Sequence, residues 1–182
     1  MIHGWGGSNE NPWFNWLKKE LEKRKFQVII PTMPDTMKPT INAWTAKLAE
    51  VIGKPDENTY LIGESIGTQT IMRYLEKTKG KIGGCVLVVP WFNLTDETWD
   101  DEGYTREIAK SWLETPINFE KIKKSCNKFV AIFSDNDPYV PLSDSKIFKE
   151  KLNAKVIIDK KKGHYQVDEA PVVLKELLDM TI

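Results

Sequence analysis

Tyr60-Leu61-Ile62-Gly63-Glu64-Ser65-Ile66-Gly67-Thr68-Gln69-Thr70-Ile71-Met72-Arg73-Tyr74-Leu75 is the stretch from which the rest of this chain can be read. An apolar run, Tyr60-Leu61-Ile62, leads into G-x-S-x-G, and a helix-like run from Thr68 follows at once. Strand, sharp turn and helix in that order are the context of a nucleophile elbow. The glycines have a steric reason. Residues flanking a serine at so tight a turn collide with neighbouring backbone if they carry a Cβ. The serine is left at the tip over a helix N-terminus, where its hydroxyl can attack a carbonyl and the next backbone N–H can hold the oxyanion. Three fixed positions arise by chance in roughly 5% of chains of this length, so the pattern needs partners elsewhere.

The rest of the chain alternates strand-like apolar runs with helical periodicity, which predicts an α/β fold with a mostly parallel sheet and helices on both faces. Strands are expected near Phe26–Ile30, Thr59–Gly63, Gly84–Val89, Lys128–Ser134 and Lys155–Asp159. Asn11-Pro12 starts the first helix, with Phe14, Leu17 and Leu21 on its buried stripe. Thr40 caps a second that carries Trp44, Leu48, Val51 and Ile52 inward and stops at Gly53. Further helices follow the elbow and are expected near Tyr104–Leu113, Ser143–Leu152 and Pro171–Met180. Met1-Ile2-His3 reads as the end of a buried strand, because a glycine-rich turn follows; three residues are short for a central strand, and the reading favours a piece of chain upstream.

A length of 182 residues suits one domain with a substantial core. Lysine plus arginine balances aspartate plus glutamate, 26 against 26, so the charge points neither to nucleic acid nor to an anionic membrane. The longest apolar run, Cys85 to Phe92, is too short to span a bilayer, and Met1-Ile2-His3-Gly4 has no signal-peptide character. Cys85 and Cys126 read as reduced, packed thiols of a cytoplasmic protein. Neither histidine belongs to a metal-ligand spacing and no phosphate-binding glycine motif is present, so neither metal nor cofactor is expected.

A nucleophilic serine needs a base, and the base needs an acid to orient it. The chain has two histidines. His164, in Lys162-Gly163-His164-Tyr165 just after the last strand, is on the loop edge where α/β sites are built. His3 precedes the turn Gly4-Trp5-Gly6-Gly7 and reads as a structural ring that bonds nearby backbone. Asp135 and Asp137 both qualify as the acid; Asp137 is preferred because Pro138 fixes the turn behind it and the gap after the strand lets it reach across. The order Ser65, Asp137, His164 is the α/β-hydrolase order. The Trp5 backbone N–H, in the glycine turn, would pair with that of Ile66 as oxyanion donor.

These pieces carry a family resemblance. The chain resembles the small, lidless α/β-hydrolases grouped around retinoblastoma-binding protein nine and bacterial YdeN-like proteins. The likeness rests on His3-Gly4 and its glycines, Trp13-Phe14-Asn15-Trp16-Leu17, Pro31-Thr32-Met33-Pro34, Trp44, the elbow, Asp137-Pro138-Tyr139-Val140-Pro141 and Gly163-His164-Tyr165-Gln166, in order along nearly the whole chain. It implies a serine hydrolase with esterase activity on small esters, with Ser65 as nucleophile, His164 as base and Asp137 as acid. Two departures stand out. Glu64 occupies the position where histidine is usual, and a carboxylate there is expected to face away from the oxyanion or pair with a cation. The retinoblastoma-binding motif L-x-C-x-E is absent around both cysteines, so that partner is not carried over.

The sequence reading therefore expects a carboxylesterase-like serine hydrolase acting on small or short-acyl esters through an acyl-enzyme. A thioesterase or aminopeptidase on the same machinery, or a non-catalytic interaction module on this fold, are the alternatives. Pro90 to Ser125 has room for a loop and one or two short helices, so the site should be shallow or half open. Trp91, Phe92, Trp99 and Trp112 are candidates for an apolar wall and equally for core. Asp96, Glu97, Asp100, Asp101 and Glu102 read as a solvated loop that would favour cationic substrates if it rimmed the pocket. Lys160-Lys161-Lys162 reads as a solvated run.

Overall fold

Strand residues of this protein alternate between two separate cores, and that alternation organises the molecule. In the computed structural model, which describes residues 1–100 and 104–181, four parallel strands lie in the order β1 (Tyr60–Glu64), β2 (Gly84–Val88), β3 (Phe129–Phe133) and β4 (Lys155–Ile158). Ile62 pairs with Val86, Val86 with Val130, and Ala131 with Val156. Leu61, Cys85, Leu87, Ala131 and Phe133 point into one core; Ile62, Val86, Val88, Val130 and Ile132 point into the other. A period of two on a sheet covered on both faces makes every central strand position apolar.

The second core is closed by α1 (Pro12–Glu22) and α7 (Pro171–Met180). Trp13, Phe14, Leu17 and Leu21 are the buried stripe of α1. The first core is closed by α2 (Ile41–Ile52), α3 (Ile66–Leu75), α4 (Arg106–Glu114), α5 (Phe119–Ser125) and α6 (Asp144–Leu152). The Thr40 side chain caps α2 by accepting from the Ala43 N–H, and Gly53 ends it at φ 63°. Cys85 and Cys126 are free buried thiols with their sulfurs 3.8 Å apart.

All ten residues of α3 are buried, polar ones included. Several of their polar groups are met internally, although Gln69 Oε1 and Arg73 Nε find no partner among the described residues. Gln69 Nε2 donates to the Trp91 carbonyl at 2.5 Å, and the Arg73 guanidinium donates to the carbonyls of Trp112 and Thr115 at 2.7 and 3.0 Å. These bonds tie the segment after β2 to the helix that begins at Ser65.

Two sequence expectations change. Phe26–Ile30 forms no strand. Phe26, Val28 and Ile30 pack on the second core and Ile29 is exposed, so the segment keeps the alternation of a strand. A ladder needs a neighbour with free edge groups, and here the Met1 amino group donates to the Ile29 carbonyl at 2.7 Å. The segment after β2 holds more structure than expected: a short 3-10 turn at Asp96–Asp100 precedes α4 and α5. Ile2 bridges in parallel to Gly63, with its N–H on the Ile62 carbonyl at 2.8 Å and its carbonyl accepting from Glu64 at 3.0 Å. No described helix is long and apolar enough to cross a membrane.

The elbow glycines sit where nothing larger fits. A Cβ on Gly67 would lie 2.4 Å from the Ile2 carbonyl oxygen, and one on Gly63 would lie 2.8 Å from the Gly67 carbonyl carbon. Both obstacles are backbone and cannot rotate away. Gly67→Ala is therefore expected to cost about 2 kcal/mol or more, as other overpacking substitutions do; urea unfolding against Gly53→Ala, where a Cβ meets nothing within 4 Å but the φ is positive, separates collision from backbone strain.

Candidate active site

Ser65 stands between β1 and α3 with φ 50° and ψ −120°. A non-glycine residue at such a φ is strained by about 1–3 kcal/mol. The conformation is held from both sides. Its N–H donates to the Val88 carbonyl at 2.9 Å, and its carbonyl accepts from the Thr68 N–H at 2.9 Å and the Thr68 hydroxyl at 2.6 Å. The hydroxyl side chain lines a cleft of about 380 Å³ that His164 also lines.

His164 is brought there by two loops that clasp each other. Asp135 Oδ1 accepts from the Lys161 N–H at 2.8 Å, Ser134 Oγ from Lys162 at 3.0 Å, and Asn136 Oδ1 from Gly163 at 2.9 Å. Asp137, with its side chain buried, meets His164 Nδ1 through both oxygens, at 3.0 and 2.8 Å. Asp137 Oδ1 also accepts from the N–H groups of Tyr139 and Val140, at 2.9 and 3.1 Å. A carboxylate acceptor fixes the tautomer with the proton on Nδ1 and leaves Nε2 to act as a base. Of the two candidate acids, Asp137 contacts the histidine and Asp135 holds the loop behind it.

His3 is fully buried and remote in role. Nδ1 lies 2.9 Å from the Gly4 carbonyl, and Nε2 accepts from the Met33 N–H at 3.4 Å. Those partners assign the proton to Nδ1, and burial pushes the imidazole pKa down, so the ring is a neutral brace for the glycine turn. Within that turn Gly6 donates to Thr36 and Gly7 to Gly4. Among the described residues the N–H groups of Trp5 and Ile66 have no acceptor, and Ile66 is the first residue of α3, where the helix itself supplies none.

Glu64 corrects the sequence expectation. It neither faces away nor pairs with a cation: its buried carboxylate lines the cleft and accepts from Asn11 Nδ2 at 3.0 Å. The reason is strand alternation. Gly63 faces α3, so its successor points toward the start of α1, where an amide waits. Burial raises the Glu64 pKa above its ordinary range; the His164 imidazole, the Trp13 indole, the Gly4 backbone and the Asn11 amide all work in the opposite direction. The Trp13 Nε1–H makes no hydrogen bond at good geometry among the described residues, so its effect is proximity.

Of the expected aromatic wall, only Trp91 lines the cleft. Trp112 is core, donating to the Pro39 carbonyl at 2.9 Å; Phe92 stacks on Phe148; Trp99 lies under the Arg106 guanidinium. Trp112 turns toward Arg73 of α3 and Phe92 toward Phe148 of α6 rather than toward the opening. Trp5, Tyr104 and Tyr139 supply the aromatic surface instead, with Met37, Leu94, Thr98 and Gln166. Tyr139 and Gln166 each lie two residues past a member of the Asp137–His164 pair, a signal available in the motifs; Asn11 was legible only as a helix start. Asp96 pairs with Arg106 in solvent and does not rim the cleft, nor do Glu97, Asp100 or Lys160–Lys162; Asp101 and Glu102 lie outside the described residues.

Fold and site define an α/β-hydrolase. The family model for serine hydrolases matches residues 1–176, and the chain belongs to that family. It is 29% identical over 182 residues to YdeN of Bacillus subtilis (strain 168), covering 99% of this chain and 92% of that one. It is 27% identical to the serine hydrolase RBBP9 of Rattus norvegicus, covering 99% and 93%. The crystal structure of the Bacillus subtilis YdeN gene product superposes with a TM-score of 0.88 over 99% of this chain and 96% of that one, at 27% identity. Carboxylesterase CesB from Bacillus subtilis shares the fold, with a TM-score of 0.67 at 14% identity over 99% and 81% of the two chains.

The raised pKa of Glu64 has a consequence for stability. A carboxyl group with a higher pKa folded than unfolded binds more protons in the native state between those two values. Stability therefore falls as pH rises through the unfolded pKa toward the folded one, and above both the ionised group is a net cost. Glu64→Gln keeps an acceptor for Asn11 and removes the charge. It is expected to unfold at higher urea than the native protein above neutral pH, with the gain fading in acid. Unfolding midpoints across pH check this; equal midpoints at alkaline pH would show that the neighbouring donors already offset the burial.

Proposed function

We propose that the protein is a cofactor-independent carboxylesterase that cleaves small or short-acyl esters through Ser65, His164 and Asp137. The observation that carries the reading is the Asp137–His164 pair opening on the same cleft as a serine held at positive φ. Ser65 Oγ attacks the ester carbonyl while His164 Nε2 takes its proton. The tetrahedral oxyanion accepts from the backbone N–H groups of Trp5 and Ile66, each such donor contributing about 2.7–4 kcal/mol to the transition state. His164 then gives its proton to the departing alcohol. A water, deprotonated by the same imidazole, releases the acid from Ser65. Asp137 stays ionised throughout and stabilises the imidazolium.

The size of the cleft supports a small substrate. About 380 Å³ lies at the lower end of the range for ligand sites. The segment after β2 forms one wall of it through Leu94, Thr98 and Tyr104, and is tied to the acid loop by the Thr95 N–H on the Tyr139 carbonyl at 2.9 Å.

A fluorophosphonate probe is expected to label native protein at Ser65 and to leave Ser65→Ala unlabelled. Asp137→Asn should lower kcat on a short-chain aryl ester by about 10³–10⁴-fold with little change in KM, because the wrong tautomer is held. His164→Ala should abolish labelling far more than His3→Ala. Folded native protein that takes no label would refute the reading.

A further inference from the structure

The cleft presents one buried carboxyl group and, among the described residues that line it, no lysine or arginine. Glu64 lines it, and its carboxylate meets only neutral donors and the imidazole of His164. The point that a Cβ on Gly4 would occupy lies 3.8 Å from Glu64 Oε2 and 3.5 Å from Ser65 Cβ. The carboxyl group therefore sits close to the nucleophile.

The rest of the wall is aromatic. Trp5 and Tyr104 are 5.1 Å apart at 56°, and Tyr104 and Tyr139 are 6.0 Å apart at 80°. All three rings line the cleft. Ring faces attract cations, most strongly where water is excluded. A buried carboxylate that lines the same cleft without a lysine or arginine partner carries a desolvation cost that an incoming cation would offset. An anionic substrate would meet repulsion from Glu64, and a purely apolar one would leave its charge uncompensated.

We propose that Glu64 and the aromatic wall recognise a cationic nitrogen carried by the substrate within a few bonds of the scissile carbonyl. The proposal rests on the hydrolase reading above and names its substrate class: esters bearing an ammonium group. Two sources share this chemistry, an aminoacyl group on the acyl side or an ammonium alcohol on the leaving side. Glu64 is then a specificity residue, and its effect is on the preference between charged and neutral substrates.

Two isosteric pairs test it. Alanine ethyl ester is compared with ethyl isobutyrate, which replaces the ammonium by methyl. Acetylcholine is compared with the tert-butyl analogue that replaces nitrogen by carbon. Binding is measured by titration calorimetry on Ser65→Ala, which cannot turn the esters over, near neutral pH. The charged member of one pair is expected to bind about tenfold tighter than its neutral partner, the scale of a hydrogen bond to a charged group. Adding Glu64→Gln, which keeps the acceptor for Asn11, should remove that preference. Which pair responds identifies the acyl or the alcohol side. Equal binding within both pairs, no binding of either charged ester, or a preference that survives Glu64→Gln would each overturn the proposal. Fluorophosphonate labelling of native Ser65 decides the hydrolase reading independently, so the two failures are distinguishable.

Discussion

The close approach of β1 to α3 at Ser65 is the constraint on which the rest of the structure depends. Gly63 and Gly67 touch backbone to backbone, and Gly67 rests on the Ile2 carbonyl. At this turn Ser65 takes a positive φ and its side chain lines the cleft. Strain of this kind persists only where the surroundings over-determine it. Here they do: Val88 holds the serine N–H, Thr68 holds its carbonyl, and the helix that follows is buried along its whole length. Ile2 is part of the same arrangement, since it bonds to β1 on both sides of Gly63.

The second half of the site is built by loop–loop hydrogen bonds instead of close packing. Three side chains from Ser134–Asn136 accept N–H groups from Lys161–Gly163. They spend short polar side chains to set one imidazole, and Asp137 then completes the pair. Asp144 works in the same way further along, accepting from the Phe92 and Asn93 N–H groups at 2.6 and 2.8 Å and so anchoring the segment that walls the cleft. The serine side of the cleft is therefore positioned by steric exclusion, and the histidine side by polar bonds.

Glu64 lies at the meeting of the two. It is the neighbour of Ser65 in sequence, lines the same cleft as His164, and is held by the residue that precedes α1. The imidazole in turn acts on it electrostatically, favouring its ionised form against the effect of burial. The serine hydrolase family model spans residues 1–176, and this carboxyl group lies beside the serine within that span.

Much was legible in the residues alone. The apolar runs around Tyr60–Glu64, Gly84–Val88, Phe129–Phe133 and Lys155–Ile158 became the sheet, most plainly in the two central strands, which are buried on both faces and have nowhere to put a polar side chain. The Thr40 cap, the proline starts of α1 and α7 and the elbow glycines are local effects, so local sequence carried them. Phe26–Ile30 failed as a strand because pairing requires a partner edge, which a single segment cannot announce. Trp112 and Phe92 could not be sorted into wall or core, because the partners that hold them, Pro39 and Phe148, lie far off in sequence. Glu64 shows the same division. Its identity and position were plain in the chain, but only the tertiary structure, which brings the Asn11 amide at the start of α1 against it, showed where its carboxyl group is held.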